Sequence, residues 1–262
     1  MSRLSNVYTL KMKSGADWRE IRTVRLLISV GSPQHVGEKF AATVDWINRN
    51  TDVIDNVIIS VNDDLQRHNF AANENHLEAT IQARMLGQEW MAAHAEAIKQ
   101  IKPKVEIVRW KDYMSEPEYR AFKAEIDIAY AEVPEFRNAV HADAKAFLGR
   151  QEKKHMIAYT GEAKARLLVA GQAYILEELA VFAMLVKNKP AAEVYPGSNL
   201  LSADYWVNNK PAQCPKINET LGQRRYFRCD FSKLHTAEAC FVLIKATSPL
   251  PFPKKNVNLS RL

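Results

Sequence analysis

The stretch RLLISVGSPQHVGEKF, residues 25–40, decides the fold. An apolar run ends in Gly-Ser-Pro, and apolar residues then recur at helical spacing at Phe40, Val44 and Ile47. A buried strand over residues 24–30 followed by a helix over residues 33–48 is the opening unit of an α/β sheet. In open sheets of this kind, ligands bind beyond the carboxyl ends of the strands. Ser32 stands at such an end. It reads either as the cap of the helix, with Pro33 at the first helical position, or as a nucleophile.

The same alternation continues outward. Residues 57–61 and 105–108 are further β-branched runs, and helical patterns cover residues 75–101, 117–133 and 134–149. A long apolar helix over residues 162–187 precedes a short strand, residues 192–195, that stops at Pro196-Gly197. The pattern predicts a Rossmann-like α/β fold, a parallel sheet with helices on both faces. Residues 239–244 read as a final strand. The organisation expected is one catalytic-sized domain over residues 1–245 and a Pro/Lys-rich tail over residues 246–262.

Composition narrows the function classes. The chain has 262 residues, 47% hydrophobic and 25% charged, with a net charge of +6 and a pI near 9.1. That permits a polyanionic partner without demanding one. Cys214, Cys229 and Cys240 are odd in number and lack CxxC spacing, so neither a disulfide framework nor a zinc site is expected. The N-terminal residues carry no apolar secretory run, and a cytoplasmic location is the expectation. Residues 167–186 hold only Gln172, Glu177 and Glu178 as clearly polar side chains. Two carboxylates in mid-span are costly in lipid, so the segment reads as a buried helix and no membrane partner is expected. GxGxxG, GxxxxGK[ST] and HExxH are all missing, and neither a cofactor nor a metal is expected.

Two further signals stand beside Ser32. In YILEELAVF, residues 174–182, Tyr174 and Glu178 are four apart and share a helix face. Glu178 lies among Tyr174, Ile175, Val181 and Phe182. A carboxylate buried there needs a cationic or donor partner, or else keeps its proton. Glu177 is the alternative buried carboxylate, and a structural ion pair is the alternative role. In EVYPG, residues 193–197, Tyr195 ends a strand on the rim where Ser32 stands. By strand alternation Ile28 and Val30 point alike, as do Glu193 and Tyr195. These residues are expected to line a substrate pocket in which Val30 limits size and Glu193 adds polarity, with His35 beside it. A small or polar first substrate residue follows.

A strand ending in Gly-Ser, a long helix carrying Y-x-x-x-E and a strand ending in Tyr-Pro, in that order, resemble a cyclodipeptide synthase. The likeness spans residues 24–197. It includes RWKDYMSEPEYRAF, residues 109–122, and EFRNAV, residues 135–140. Pro196 after Tyr195, and His35 rather than Asn three residues after the serine, are similar to the XYP subfamily. The resemblance implies a domain similar to the catalytic domain of class I tyrosyl- and tryptophanyl-tRNA synthetases, without ATP motifs. It implies two aminoacyl-tRNAs as substrates, a 2,5-diketopiperazine as product and a monomeric enzyme. Ser32 would carry the first aminoacyl group as an ester. Tyr174 and Glu178 would hold its α-amino group, and Tyr195 would relay a proton in cyclisation. Well-known relatives bind tRNA with a helix rich in arginine and lysine after the second strand. Here residues 75–101 also carry Glu78, Glu89 and Glu96, and basic residues cluster instead around residues 145–166 and 224–228. Two rivals remain: a serine hydrolase or acyltransferase using Ser32 with His35, and a non-catalytic tRNA-binding domain.

Overall fold

The computed structural model describes residues 3–13, 20, 22–70, 75–209 and 214–234. Among them six strands form one sheet. They are β1 (Tyr8–Met12), β2 (Thr23–Ile28), β3 (Asn56–Val61), β4 (Lys104–Arg109), β5 (Ala192–Tyr195) and β6 (Tyr226–Lys233), in the spatial order β1-β6-β5-β2-β3-β4. All pairings are parallel except β1 with β6. From β2 the chain moves outward through β3 to β4, then returns across the sheet to β5 and β6. The strand order therefore reverses between β2 and β5, and the crevice at their carboxyl ends is where such folds bind ligands.

Helices cover both faces. Helices α1 (Gly37–Arg49) and α2 (His76–Lys99) lie on one. There Phe40, Val44, Ile47 and Trp90 pack with Val24, Leu26, Ile28 and Val30. The other face carries α3 (Trp110–Ser115), α4 (Tyr119–Glu132), α5 (Pro134–His155), α6 (Gly161–Asn188), α7 (Leu201–Asn209) and α8 (Pro215–Thr220). Leu27 and Ile58 belong to that second core. Helix α6 is long and apolar enough to cross a membrane by length and composition, but 67% of its most apolar window is buried inside the protein. It is the central helix of the second core, as its sequence implied.

Several expectations change. Helix α1 begins at Gly37 rather than Pro33, and its cap position is Val36. Gly31 and Gly37 both take left-handed backbone, with φ of 80° and 53°. Residues 31–36 consequently form a looped turn rather than helix, and Ser32 is not a helix cap. The pattern over residues 117–133 resolves into α4, preceded by the separate short α3 that follows β4 directly. The last described strand is β6, where Phe227 and Cys229 are buried. The strand expected over residues 239–244 lies outside the described residues.

Candidate active site

A cavity of about 240 Å³ opens at the reversal point between β2 and β5. Its lining brings Tyr174, Glu178 and Tyr195 together, as the sequence suggested. Phe182 extends the stripe on α6, so Tyr174, Glu178 and Phe182 follow at four-residue intervals along one wall. Asn62 comes from the end of β3, and Gln66 and Asn69 from the 3-10 helix Asp64–Asn69. Phe147 and Arg150 of α5 stand at the same cavity.

Ser29 and Ser198 line the cavity and Ser32 does not; of the two, Ser29 is the one hydrogen-bonded to Tyr195. Leu27 and Ser29 share the sheet face that meets α6, because side chains alternate along an extended chain. Ser32 lies past the turn at Gly31, and its Oγ accepts from the Gln34 N–H at 3.3 Å. Ile28 and Val30 point to the opposite face and pack under α1. They do not line the cavity, and the expected pocket wall is wrong by one position in the alternation. The missed signal was local: Ser29 is the polar interruption of an apolar run, two residues after Leu27.

His35 is also displaced from its expected role. It is buried, and burial pushes its pKa down to about 3. Its Nε2 has no hydrogen-bond partner, and its ring packs against Tyr195 at 5.4 Å. A histidine held neutral in this way supports the Tyr195 ring and is poorly suited to take a proton from Ser32. Glu193 does not line the cavity either. Its carboxylate is sealed between two arginines, Arg224 Nε at 2.6 Å and Arg25 Nη1 at 3.5 Å.

The two adjacent glutamates on α6 have different surroundings. Glu177 accepts from Trp110 Nε1 at 2.8 Å, from Arg67 Nη1 at 2.9 Å and from the second Arg67 nitrogen, with the His68 ring at 3.2 Å. Burial pushes its pKa up, but the His68 and Arg67 hydrogen bonds outweigh that and hold it below the usual range. Glu178 faces the cavity. Burial lifts its pKa to about 8; nearby Arg224 opposes the shift, while Glu193, Asp143 and Glu177 add to it. Glu177 is thus the structural carboxylate, and Glu178 is the one without a built-in cation clamp.

The tyrosines are tuned by the same cavity. Burial raises the Tyr195 phenol to about 12, Glu178 adds to the shift, and hydrogen bonding to Ser29 together with the Arg150 charge draws it back. Tyr174 is pushed well above its usual value by burial, then by Glu178 and Tyr195, with Gln66 opposing through a hydrogen bond. Its ring stacks with Phe147, centroids 6.3 Å apart. Both phenols keep their protons near neutrality and can donate. A hydroxyl beside a phenol, with a carboxylate on the next wall, can form an ester and hold an amine there.

The family model for cyclodipeptide synthases matches residues 7–187. Among curated proteins no relative matches the chain in sequence. A cyclodipeptide synthase from Fluoribacter dumoffii is similar in structure with a TM-score of 0.73 at 24% identity, covering 87% of this chain and 100% of its own. One from Candidatus Glomeribacter gigasporarum, bound to Phe-tRNAPhe, has a TM-score of 0.59 at 22% identity, covering 87% of this chain and 93% of its own. A Mycobacterium tuberculosis protein, whose structure relates cyclodipeptide synthetases to type I tRNA synthetases, has a TM-score of 0.60 at 12% identity, covering 89% of this chain and 95% of its own. At these identities the structural likeness shows the fold.

Proposed function

The chain belongs to the cyclodipeptide synthase family, and from that premise we propose that it joins the aminoacyl groups of two aminoacyl-tRNAs through an ester on Ser29. The observation that carries this reading is the convergence of Ser29, Tyr174, Glu178 and Tyr195 on one cavity at the reversal point of the sheet. Ser29 Oγ attacks the carbonyl of the first aminoacyl ester, and the ribose oxygen of the tRNA leaves with the proton. Glu178 and Tyr174 hold the α-amino group of the bound residue. Glu178, with its pKa near 8, is matched to α-amines, whose ordinary values are about 7.7–8.0. It can hold the ammonium or accept its proton. The freed amine attacks the second aminoacyl ester and the second tRNA leaves, giving a dipeptidyl-enzyme. The terminal amine then attacks the Ser29 ester. The ring closes, the serine oxygen departs, and Tyr195 passes the proton between amine and serine.

Pro196 after Tyr195, and Ser32 rather than Asn three residues after Ser29, support the XYP subfamily. Residues 1–245 act as the catalytic unit in this reading, and residues 246–262 are dispensable for acylation. The Ser32–His35 hydrolase reading loses support, because Ser32 lies off the cavity and His35 is held neutral.

The test is to incubate the protein with labelled aminoacyl-tRNAs and to measure protein-bound label and diketopiperazine on one preparation. Ser29→Ala removes both, whereas Ser32→Ala and His35→Ala keep the label. Labelling that survives Ser29→Ala and vanishes in Ser32→Ala would return the nucleophile to Ser32.

A further inference from the structure

Three charged side chains line the cavity: Glu178, Arg150 and Arg224. Arg150 is exposed and lies beside Phe147, at the Tyr174 end. Arg224 sits at the other end. Its guanidinium lies 3.9 Å from the Phe182 ring centroid, and its side chain is only 3% exposed. Nε donates to Glu193 at 2.6 Å and Nη1 to Asn199 Oδ1 at 2.7 Å, which fixes the planar fork against the cavity wall.

The charge around that fork is unbalanced. Glu193 is shared with Arg25, which is 1% exposed and whose Nε has no hydrogen-bond partner. One carboxylate cannot neutralise two buried guanidiniums, and leaving a charge uncompensated in such a place is costly. Asp143, the nearby buried acid, is already engaged by Leu201 N, Ser202 N and Ser202 Oγ at the start of α7. Glu178 is committed to the substrate amine in the reading above.

Spacing adds a second constraint. Phe182, on which Arg224 rests, is one helical turn beyond Glu178, a rise of about 5–6 Å. The cavity thus carries a carboxylate and a guanidinium along one wall, a pair complementary to the amine and the side-chain carboxylate of a single acidic amino acid. We propose that this cavity selects an amino acid with a side-chain carboxylate, aspartate or glutamate, its amine at Glu178 and its carboxylate at Arg224. The inference rests on reading the cavity as the aminoacyl site, and it narrows the small or polar residue expected from the sequence to an acidic one. Glu193 does make the pocket polar, but it does so by holding an arginine in the wall.

Unreactive α-amides of glutamate, glutamine and norleucine, titrated into the wild-type protein by NMR, test this without any chemistry. A charge-assisted contact to a planar guanidinium predicts at least about tenfold tighter binding of the glutamate amide than of the glutamine amide. Equal affinity, or preference for norleucine, overturns the proposal. In the variant Arg224→Gln, which leaves Glu193 paired with Arg25 alone, the preference falls to about one. A preference retained in that variant, with its unfolding midpoint intact, removes Arg224 from the role. Products from aminoacyl-tRNA mixtures are assayed separately. Carboxylate-selective binding with no diketopiperazine of any composition would sink the proposed function and leave this inference standing.

Discussion

Glu177 and Glu178 are chemically identical neighbours with opposite surroundings, and pH separates them. In the unfolded chain Glu178 titrates near its usual 4.5, while in the folded protein it keeps its proton up to about 8. Between those values the folded state binds the extra proton. Its contribution to stability is full below 4.5 and is lost as pH rises towards 8, by at most about 1.4 kcal/mol per pH unit. Glu178→Gln cannot titrate. Its thermal midpoint should therefore gain on the wild type between pH 5 and pH 8.5, while diketopiperazine formation falls sharply. Parallel midpoint curves would show that Glu178 is ionised in the free protein. Glu177→Gln should behave differently. It takes the charge away from Arg67 and disturbs the acceptor of Trp110 Nε1. Breaking one side of a buried pair costs roughly 3–5 kcal/mol, and the lower end applies because Arg67 reaches solvent. Denaturant unfolding at pH 7 measures that loss.

At the scale of elements, the site depends on where a strand stops and what its last residues face. Tyr195 ends β5, and a Cβ at Gly197 would come within 2.6 Å of its Cε1. Gly197 lacks left-handed backbone, so alanine there meets no conformational barrier, only the ring. Gly197→Ala should swing Tyr195 away from Ser29 and lower cyclic product about 10²-fold, the low end for lost general acid–base help. Gly149→Ala, where nothing lies within 4 Å of the new Cβ, is the control. Equal activity of the two variants would mean that the Tyr195 ring position is not critical. The same scale shows what the sequence could disclose. The parallel strands, the central apolar helix and the Tyr174–Glu178 face follow from periodicity, and each stands as read. The pocket wall does not, because adjacent residues of a strand face opposite sides of the sheet, and Ser32 lies beyond the strand, past the turn at Gly31 and off the cavity. Taking Val30 and Ser32 as the rim turned the pocket wall inside out. Helix α1 starts late because two left-handed glycines bracket the turn, a backbone property that Ser-Pro capping logic does not contain. Strands β1 and β6 form the antiparallel edge and carry lysine, arginine and aspartate among their apolar residues. Their apolar signal is correspondingly weak.

For the molecule as a whole, the remaining question is how a large polyanion presents a small ester to a 240 Å³ cavity. We propose that the acceptor end enters at the corner of α5 and α6, where Phe147, Arg150 and Tyr174 border the cavity. Exposed Lys145 and Lys153 lie on α5, and exposed Lys164 near the start of α6. Helix α2 offers a contrasting surface. Leu77, Ile81 and Met85 are its exposed large apolar residues, and Glu78, Glu89 and Glu96 are exposed as well. Phosphate contacts release counterions, so each one adds about 0.7 to the slope of log affinity against log salt for a single strand. Lys145→Gln, Lys153→Gln and Lys164→Gln combined should flatten that slope by about 2 and slow Ser29 acylation from aminoacyl-tRNA at moderate salt. The same triple variant should leave acylation from a small activated amino-acid ester unchanged, since none of the three lysines lines the cavity. Lys99→Gln, at the far end of α2, should alter neither. If the triple variant keeps the full salt slope while Lys99→Gln flattens it, the nucleic acid approaches over α2. Loss of both reactions in the triple variant would instead mean that the α5–α6 corner shapes the pocket itself. Comparing the two substrates in one salt series separates these cases, because only the tRNA substrate carries the phosphates.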